Sequence, residues 1–456
     1  MQFTRETSAS ESRAVLSEDW WSTLIGLCIV CIFLGLSLTG RDLGLAAVKP
    51  EPWTRFPDLA GQLVRDWPGY VLQFLALLVL FATAARAMNQ PLVPFAVGFA
   101  LVYVLAFAAL AIGAWQAIRA YNVEPPLIAL AIGAAIANLL PLPFGPREAF
   151  RVEFYIKTGI VLLGATFPVT LFLWTGPVAI AQASIVSLVT FATIYATARF
   201  LDLERELAAL LAVGGAVCGV AAVIAVGGAI RARRENMSIA LASVVGWSIV
   251  LIFVMPLLAR AWYLSGGVAG AWIGTSELAD AAGFLAAHAY GGLMRDSDAK
   301  GTPDQVLWSY TLLKVVGRDM WIGIWALVLS FVAMTRWSPA SEWQHIGPMD
   351  IWHRFPKFIV GLFAASLLAA WVAGPIRYSE LETAAGPAFL APLVNLRVWI
   401  FSFSFLSIGL TTRLRGFAPV GGNAFLSFAT GVLVNLVVGF VLSALVFAGY
   451  WDTIGR

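Results

Sequence analysis

Long runs without a single charged side chain decide what this chain can become. Residues 20–40, 67–85, 87–118 and 125–146 contain no Asp, Glu, Lys or Arg. The run 158–198 is twice the length of one span and is expected to divide at Gly176-Pro177; 207–230 and 236–259 follow. A weaker window, 261–294, carries Glu277 and Asp280, and four more apolar windows cover 319–335, 357–376, 398–412 and 424–450. Because a helix needs about 20 mostly apolar residues to cross a bilayer, the pattern predicts about 13 membrane helices. Only 12% of residues are charged and 60% are hydrophobic, against roughly a quarter charged in soluble proteins. The chain therefore reads as an all-α polytopic membrane protein.

The ends and connections add detail. Residues 1–19 form a polar tail, and the run Trp20 to Gly40 ends in no small-residue cleavage site, so it reads as a retained helix rather than a signal peptide. Cys28 and Cys31 share a helix face but have no further ligand-type residues nearby, and Cys218 stands alone. Neither a disulfide framework nor a metal site is expected. Segments 41–66 and 336–356 are rich in Pro and Trp and read as interfacial, as Trp favours the headgroup level. Arg231, Arg233 and Arg234 form the densest basic loop, which the positive-inside rule places in the cytoplasm. Counting spans from there puts the C-terminus on the same side and the N-terminus outside. A rival cluster, Arg147, Arg151 and Lys157, lies an odd number of spans away and is expected on the opposite face.

Two windows are irregular. Residues 207–230 hold Gly214, Gly215, Gly219, Gly227 and Gly228, whereas 398–412 is short and holds Ser402, Ser404, Ser407, Thr411 and Thr412. Interrupted hydrophobic segments in matching places of two halves point to a transporter binding site. The expected plan is a first five-helix repeat at 119–259 and a second at 260–456, with residues 20–118 as extra N-terminal helices. An odd number of spans per repeat inverts the second copy. Residues 214–219 and 402–412 are then the crossed discontinuous helices, meeting at mid-membrane. Gly214, Gly215, Cys218 and Gly219 would contribute backbone, with Ser404, Ser407, Gly409 and Thr411 opposite them. Gly26, in the extra region, is expected to tolerate a large side chain.

Several blocks carry a family resemblance. Gly214-Gly-Ala-Val-Cys-Gly-Val-Ala-Ala-Val223 is similar to the Gly-x-x-x-Cys-Gly-x-x-Ala motif of the YeiH-type family, labelled sulfate exporters. Gly159-Ile-Val-Leu-Leu-Gly164, Asn138 after Ile132-Gly133, Phe355 to Phe363 and Ile408-Gly-Leu-Thr-Thr412 resemble further blocks, so the likeness covers roughly residues 98–450. It implies a fold like that of sodium/bile-acid symporters and sodium/proton antiporters, with two inverted five-helix repeats. There are departures. Glu277 to Ala282 lacks the family's His and Gln, Ala216 and Val217 stand where Thr or Ser often precedes the Cys, and Lys314 and Arg318 are spaced one residue wider than the family pair.

The polar residues inside the apolar windows suggest chemistry. Glu277 and Asp280 lie three apart on one helix face, where a charge is costly unless it faces a cavity. They are the expected coupling residues for H+ or Na+. Lys314 and Arg318, one turn apart, can offer positive charge to an anion, and Asn138 is a further polar candidate. No zinc-hydrolase, nucleophile-elbow, Walker A or dinucleotide pattern occurs in a credible context, so neither an enzyme nor a cofactor is expected. The reading is a secondary transporter of a small anion, inorganic or organosulfur, in a bacterial inner membrane, with a homodimer left open and no nucleic-acid partner. The alternatives are an anion channel or a membrane-embedded sensor or enzyme.

Overall fold

The computed structural model describes residues 16–39, 47–119, 125–139, 148–166, 169–230, 232–295, 297–337, 356–373, 389–412 and 421–454. The described residues form fifteen helices of ten residues or more: eight long and apolar enough to cross a bilayer, three shorter apolar ones, and four further short ones. In chain order they are α1 (Glu18–Leu38), α2 (Phe56–Ala87), α3 (Leu92–Ala114), α4 (Pro125–Leu139), α5 (Val152–Ala165), α6 (Val169–Phe200), α7 (Arg205–Ala216), α8 (Val220–Ala229), α9 (Arg234–Ala261), α10 (Gly266–Ser276), α11 (Asp280–Met294), α12 (Pro303–Trp337), α13 (Lys357–Ala373), α14 (Leu390–Thr411) and α15 (Gly422–Val446). The protein is a multi-pass, all-α membrane protein.

Charge proves a poor marker of helix ends. The window at 398–412 belongs to a full-length helix, α14, that starts at Leu390. Its Arg397 is buried and donates from Nη1 to Thr166 Oγ1 at 2.7 Å. Likewise α12 runs 35 residues through Lys314, Arg318 and Asp319. The expected division at Gly176-Pro177 is absent, because α6 passes through Pro177 and the break comes earlier, at the cap residue Thr166. Membrane helices tolerate an interior proline because neighbouring groups satisfy the freed carbonyl.

The Gly-rich segment does break, but the chain turns back. At its base, Arg233 N donates to Glu206 Oε1 at 2.7 Å, and Asn236 Nδ2 donates to the same carboxylate at 2.8 Å. A spanning helix of this length would hold those residues roughly 40–45 Å apart at 1.5 Å per residue. So α7 and α8 form a re-entrant hairpin with its tip at 217–219. A second hairpin, α10 and α11, has its tip at 277–279. Its base is closed by Gly266 N donating to Lys300 O at 2.8 Å and by Tyr290 donating to Leu264 O. Since α9 crosses from one base to the other, the hairpins enter from opposite ends. The expected crossed pair of 214–219 and 402–412 is thus corrected: the partner of the first break is 277–279.

The remaining helices fall into an inverted order. α4, α5, α6, the first hairpin and α9 are matched, upside down, by α13, α14, α15, the second hairpin and α12. In the chain the second set is permuted, with its hairpin first. Equivalent close contacts appear in both halves of the panel built from α4, α5, α13 and α14. Gly409 packs on the backbone of Leu130 to Ala134, and Gly164 packs on the backbone of Leu362. The helix α1 joins the same panel: Arg151 pairs with Glu18, and Lys157 Nζ lies 2.7 Å from Asp19 Oδ1. A Cβ at Gly26 would come within 2.6 Å of Val161 Cβ. This corrects the expected tolerance there, and Gly26→Leu should cost about 1–3 kcal/mol by overpacking.

Because the hairpins add no crossing, the topology changes. The starts of α1 and α5 and the base of the first hairpin share one end of the molecule. The opposite end holds the base of the second hairpin and the C-terminal turn, where Gln305 Nε2 donates to Ile454 O at 2.6 Å. Both basic clusters, Arg151 with Lys157 and the Arg233 loop, therefore lie on one side, and the C-terminus lies on the other. This overturns the expected placement of the C-terminus beside Arg231–Glu235. With both clusters on one side, the positive-inside rule predicts that the start of α1 and the Arg233 loop face the cytoplasm. In a background without the native cysteines, an impermeant maleimide added outside should label Thr453→Cys and leave Ala232→Cys unlabelled. Labelling of both would contradict the fold, and the reverse pattern would contradict the orientation.

Candidate functional site

The two hairpin tips touch. Each brings the C-terminal end of one helix and the N-terminal start of another into the membrane interior, where no water satisfies their free backbone groups. Lys314 and Arg318 supply the missing donors. Lys314 Nζ donates to Val217 O (2.9 Å), Glu277 O (3.0 Å) and Leu278 O (2.9 Å), spanning both tips. Arg318 does the same one turn later. Its Nη2 reaches Gly215 O at 2.8 Å, while Nη1 reaches Thr275 O at 2.5 Å and Glu277 O at 3.1 Å. Two cations thus face the negative ends of the α7 and α10 dipoles. A π-helical stretch, Thr311–Arg318, carries both side chains, a geometry common at functional sites.

At the first tip Gly219 adopts φ +66°, and its Cα lies so close to the second tip that a Cβ would stand 3.0 Å from Leu278 O. Only glycine suits both demands. Gly214 and Gly215 lie in the last turn of α7 and pack on neighbouring side chains, and Cys218 is buried in the tip itself.

Three carboxylates surround the tips, all buried: Glu277, Asp280 and Asp319. Asp280 Oδ1 lies 3.8 Å from Lys314 Nζ. The Asp280 and Asp319 carboxylates and the Cys218 thiol approach within 4.8 Å of one another. The Glu277 and Asp319 oxygens meet no full hydrogen-bond geometry among the described residues, although the Leu278 and Ala279 N–H groups and the Ser248 hydroxyl stand around Glu277 and Asp319 adjoins Asp280. Buried oxygens of this kind call for a proton or a cation. Sequence reasoning places Glu277 and Asp280 here but passes over Asp319, because a charge at that point reads as a helix start. Its signal is present all the same: the Lys314-x-x-x-Arg318-Asp319 run has apolar sequence on both sides.

A cavity of about 480 Å³ opens beside the tips toward the end of the molecule that carries the first hairpin's base. It is lined by Val220 and by Ala279, Ala281 and Ala282, at the starts of α8 and α11, and across from them by Ser248, Thr411 and Thr412. The end of α14 therefore faces the tips across this space. Of the serines and threonines expected to contact ligand, Thr411 lines the cavity. Ser407 donates to Phe403 O (2.7 Å) and Ser404 to Val152 O (3.0 Å). Gly409 packs on α4, and Asn138 Nδ2 joins α4 to Thr412 O at 3.0 Å, so both lie in the panel.

Comparison with known proteins decides the family. Residues 97–427 match the family described as conserved hypothetical protein 698. The chain belongs to that family. A UPF0324 membrane protein of Rhodopirellula baltica is 30% identical over 88% of this chain and 71% of its own length. A UPF0324 membrane protein of Nitrosomonas europaea is 27% identical over 90% of this chain and 91% of its own. One from Nitratidesulfovibrio vulgaris is 29% identical over 82% of this chain, which spans 63% of that longer relative. No solved structure matches. The UPF0324 name specifies a membrane protein and no substrate, so the function must be argued from the site.

Proposed function

We propose that this UPF0324 protein is a secondary transporter of a small anion that works by alternating access. The observation that carries this reading is a pair of cavities at opposite ends of the α11–α14 interface, separated by a closed aromatic layer at the level of the tips. Ala281 and Ala282 of α11 face one cavity, and His288 of α11 with Phe401 of α14 faces the other. Between them stand Phe284, Phe401 and Phe405, with ring centroids 5.2 Å apart for Phe284–Phe401 and 6.1 Å for Phe401–Phe405. All three are fully buried. A channel would need a continuous path where this seal lies.

The amide-rich starts of α8 and α11 supply the preference for an anion. Free N–H groups at a helix start favour negative charge by about 0.3–1 kcal/mol each, up to ~2 when partly buried. The hairpin unit would shift against the α4–α5–α13–α14 panel to exchange one cavity for the other. Glu277 and Asp280, with Asp319, would take up the coupled H+ or Na+. The test is counterflow in proteoliposomes with labelled sulfate, thiosulfate and a small sulfonate as probes. Saturable exchange is expected for at least one of them. Flux that rises linearly with concentration, or no flux with any probe, contradicts the reading. Glu277→Gln or Asp280→Asn should uncouple that exchange from the pH or sodium gradient, and unchanged coupling in both would remove these residues from the role.

A further inference from the structure

The second cavity, also about 480 Å³, differs in character from the first. Its lining brings together Lys49, Arg295 and Arg397 with a single carboxylate, Asp304. Among the charged residues, the first cavity is lined by Glu153 alone. Arg397 is 5% exposed, and its Nη1 is held by Thr166 while its Nε has no partner among the described residues. A buried guanidinium with an unused donor at a cavity wall is positioned to receive an oxyanion in a charge-assisted bond. His288 contributes a further polar edge from α11, its ring 5.7 Å from that of Phe401. The rest of the wall is apolar, including Leu110, Pro126, Leu307 and Val398.

We infer that this cavity is a binding site for an organic oxyanion, a sulfonate or carboxylate on an apolar body. Its headgroup is held between Arg397 and Arg295, and its body lies against the proline- and leucine-lined wall. Three cations against one carboxylate select the charge. The apolar wall selects an organic anion over bare sulfate, whose hydration it cannot replace. The inference deepens the transporter reading by giving the substrate class and the capture site on the side away from the Arg233 loop. It is read by binding alone, so it stands or falls apart from any flux result.

The experiment is equilibrium binding of benzenesulfonate, benzoate and inorganic sulfate to the full-length protein in neutral detergent. Wild type is expected to bind benzenesulfonate or benzoate at least tenfold more tightly than sulfate. Arg397→Gln should weaken the organic anion about tenfold or more, Arg397→Lys should restore part of the loss, and Arg295→Gln, at an exposed position, should weaken it severalfold. Leu445→Ala, at an exposed position of α15 that lines neither cavity, should leave this affinity unchanged. Equal binding by wild type and Arg295→Gln, or sulfate binding as tightly as benzenesulfonate, would overturn the inference. If an anion binds but no probe exchanges in liposomes, the transporter reading fails and the site remains.

Discussion

Replacing Lys314 with Met is expected to abolish anion exchange and to destabilise the protein by about 3–5 kcal/mol, the usual cost of breaking a buried charged network from one side. The cause is specific. One ammonium satisfies three carbonyls from two different tips, and methionine offers no donor, so all three oxygens are stranded away from water. Asp280, 3.8 Å away, loses its nearest cation at the same time. Thermal unfolding in detergent, alongside flux at matched amounts of folded protein, separates the two losses. Wild-type stability in Lys314→Met would show that the tips do not depend on this side chain.

Gly219→Leu should be nearly as severe. Its φ of +66° is rarely adopted by L side chains, and a Cβ there would lie 2.6 Å from Val244 Cγ1 as well as 3.0 Å from Leu278 O. Strain of this kind costs about 1–3 kcal/mol before any clash is counted. The side chain would also wedge the tips apart, so exchange should fall to background. Gly228→Leu is the internal control. That glycine lies on the same hairpin, a Cβ added there would meet nothing within 4 Å, and the variant should transport normally. Equal activity in the two variants would detach the first tip from function.

The membrane class and the breaking segment can be read from sequence because they follow from composition and glycine placement. Charge-free windows locate most spans, and clustered glycines at 214, 215 and 219 mark a helix that cannot continue. Where the chain goes after the break is not legible in the same way. A spanning broken helix and a re-entrant hairpin have the same length and hydropathy. The difference lies in contacts across sequence, such as Asn236 with Glu206. That one ambiguity propagates: each hairpin counted as a crossing flips the side of everything beyond it and sets the two basic clusters against each other.

The second break is hidden for a related reason. An inverted repeat in simple chain order points five spans downstream, to 398–412, but the second repeat is permuted and its hairpin comes first. Glu277 and Asp280 are recognisable as costly intramembrane charges, yet they mark the tip itself. Arg397 and Lys314 mislead in the opposite direction. As charges they fall outside the apolar windows, whereas each is buried within a long helix and bonded to oxygen acceptors. Thr411 and Thr412 are legible as polar residues at a helix end, but their role as a cavity wall depends on α14 facing the tips across open space.

The meeting of the two tips is tested most directly by a disulfide. The Cys218 thiol and a carboxylate oxygen of Asp280 lie within 4.8 Å, so a cysteine at 280 comes within bonding reach after a small adjustment. In a protein whose Cys28 and Cys31 are replaced by serine, Asp280→Cys should cross-link to Cys218 in native membranes under mild oxidation. The link should be seen as an altered proteolytic pattern that reductant reverses. Gly409→Cys, at the position expected from sequence to oppose the break, should not cross-link. A bond from Cys218 to position 409 and none to 280 would contradict the paired-hairpin architecture.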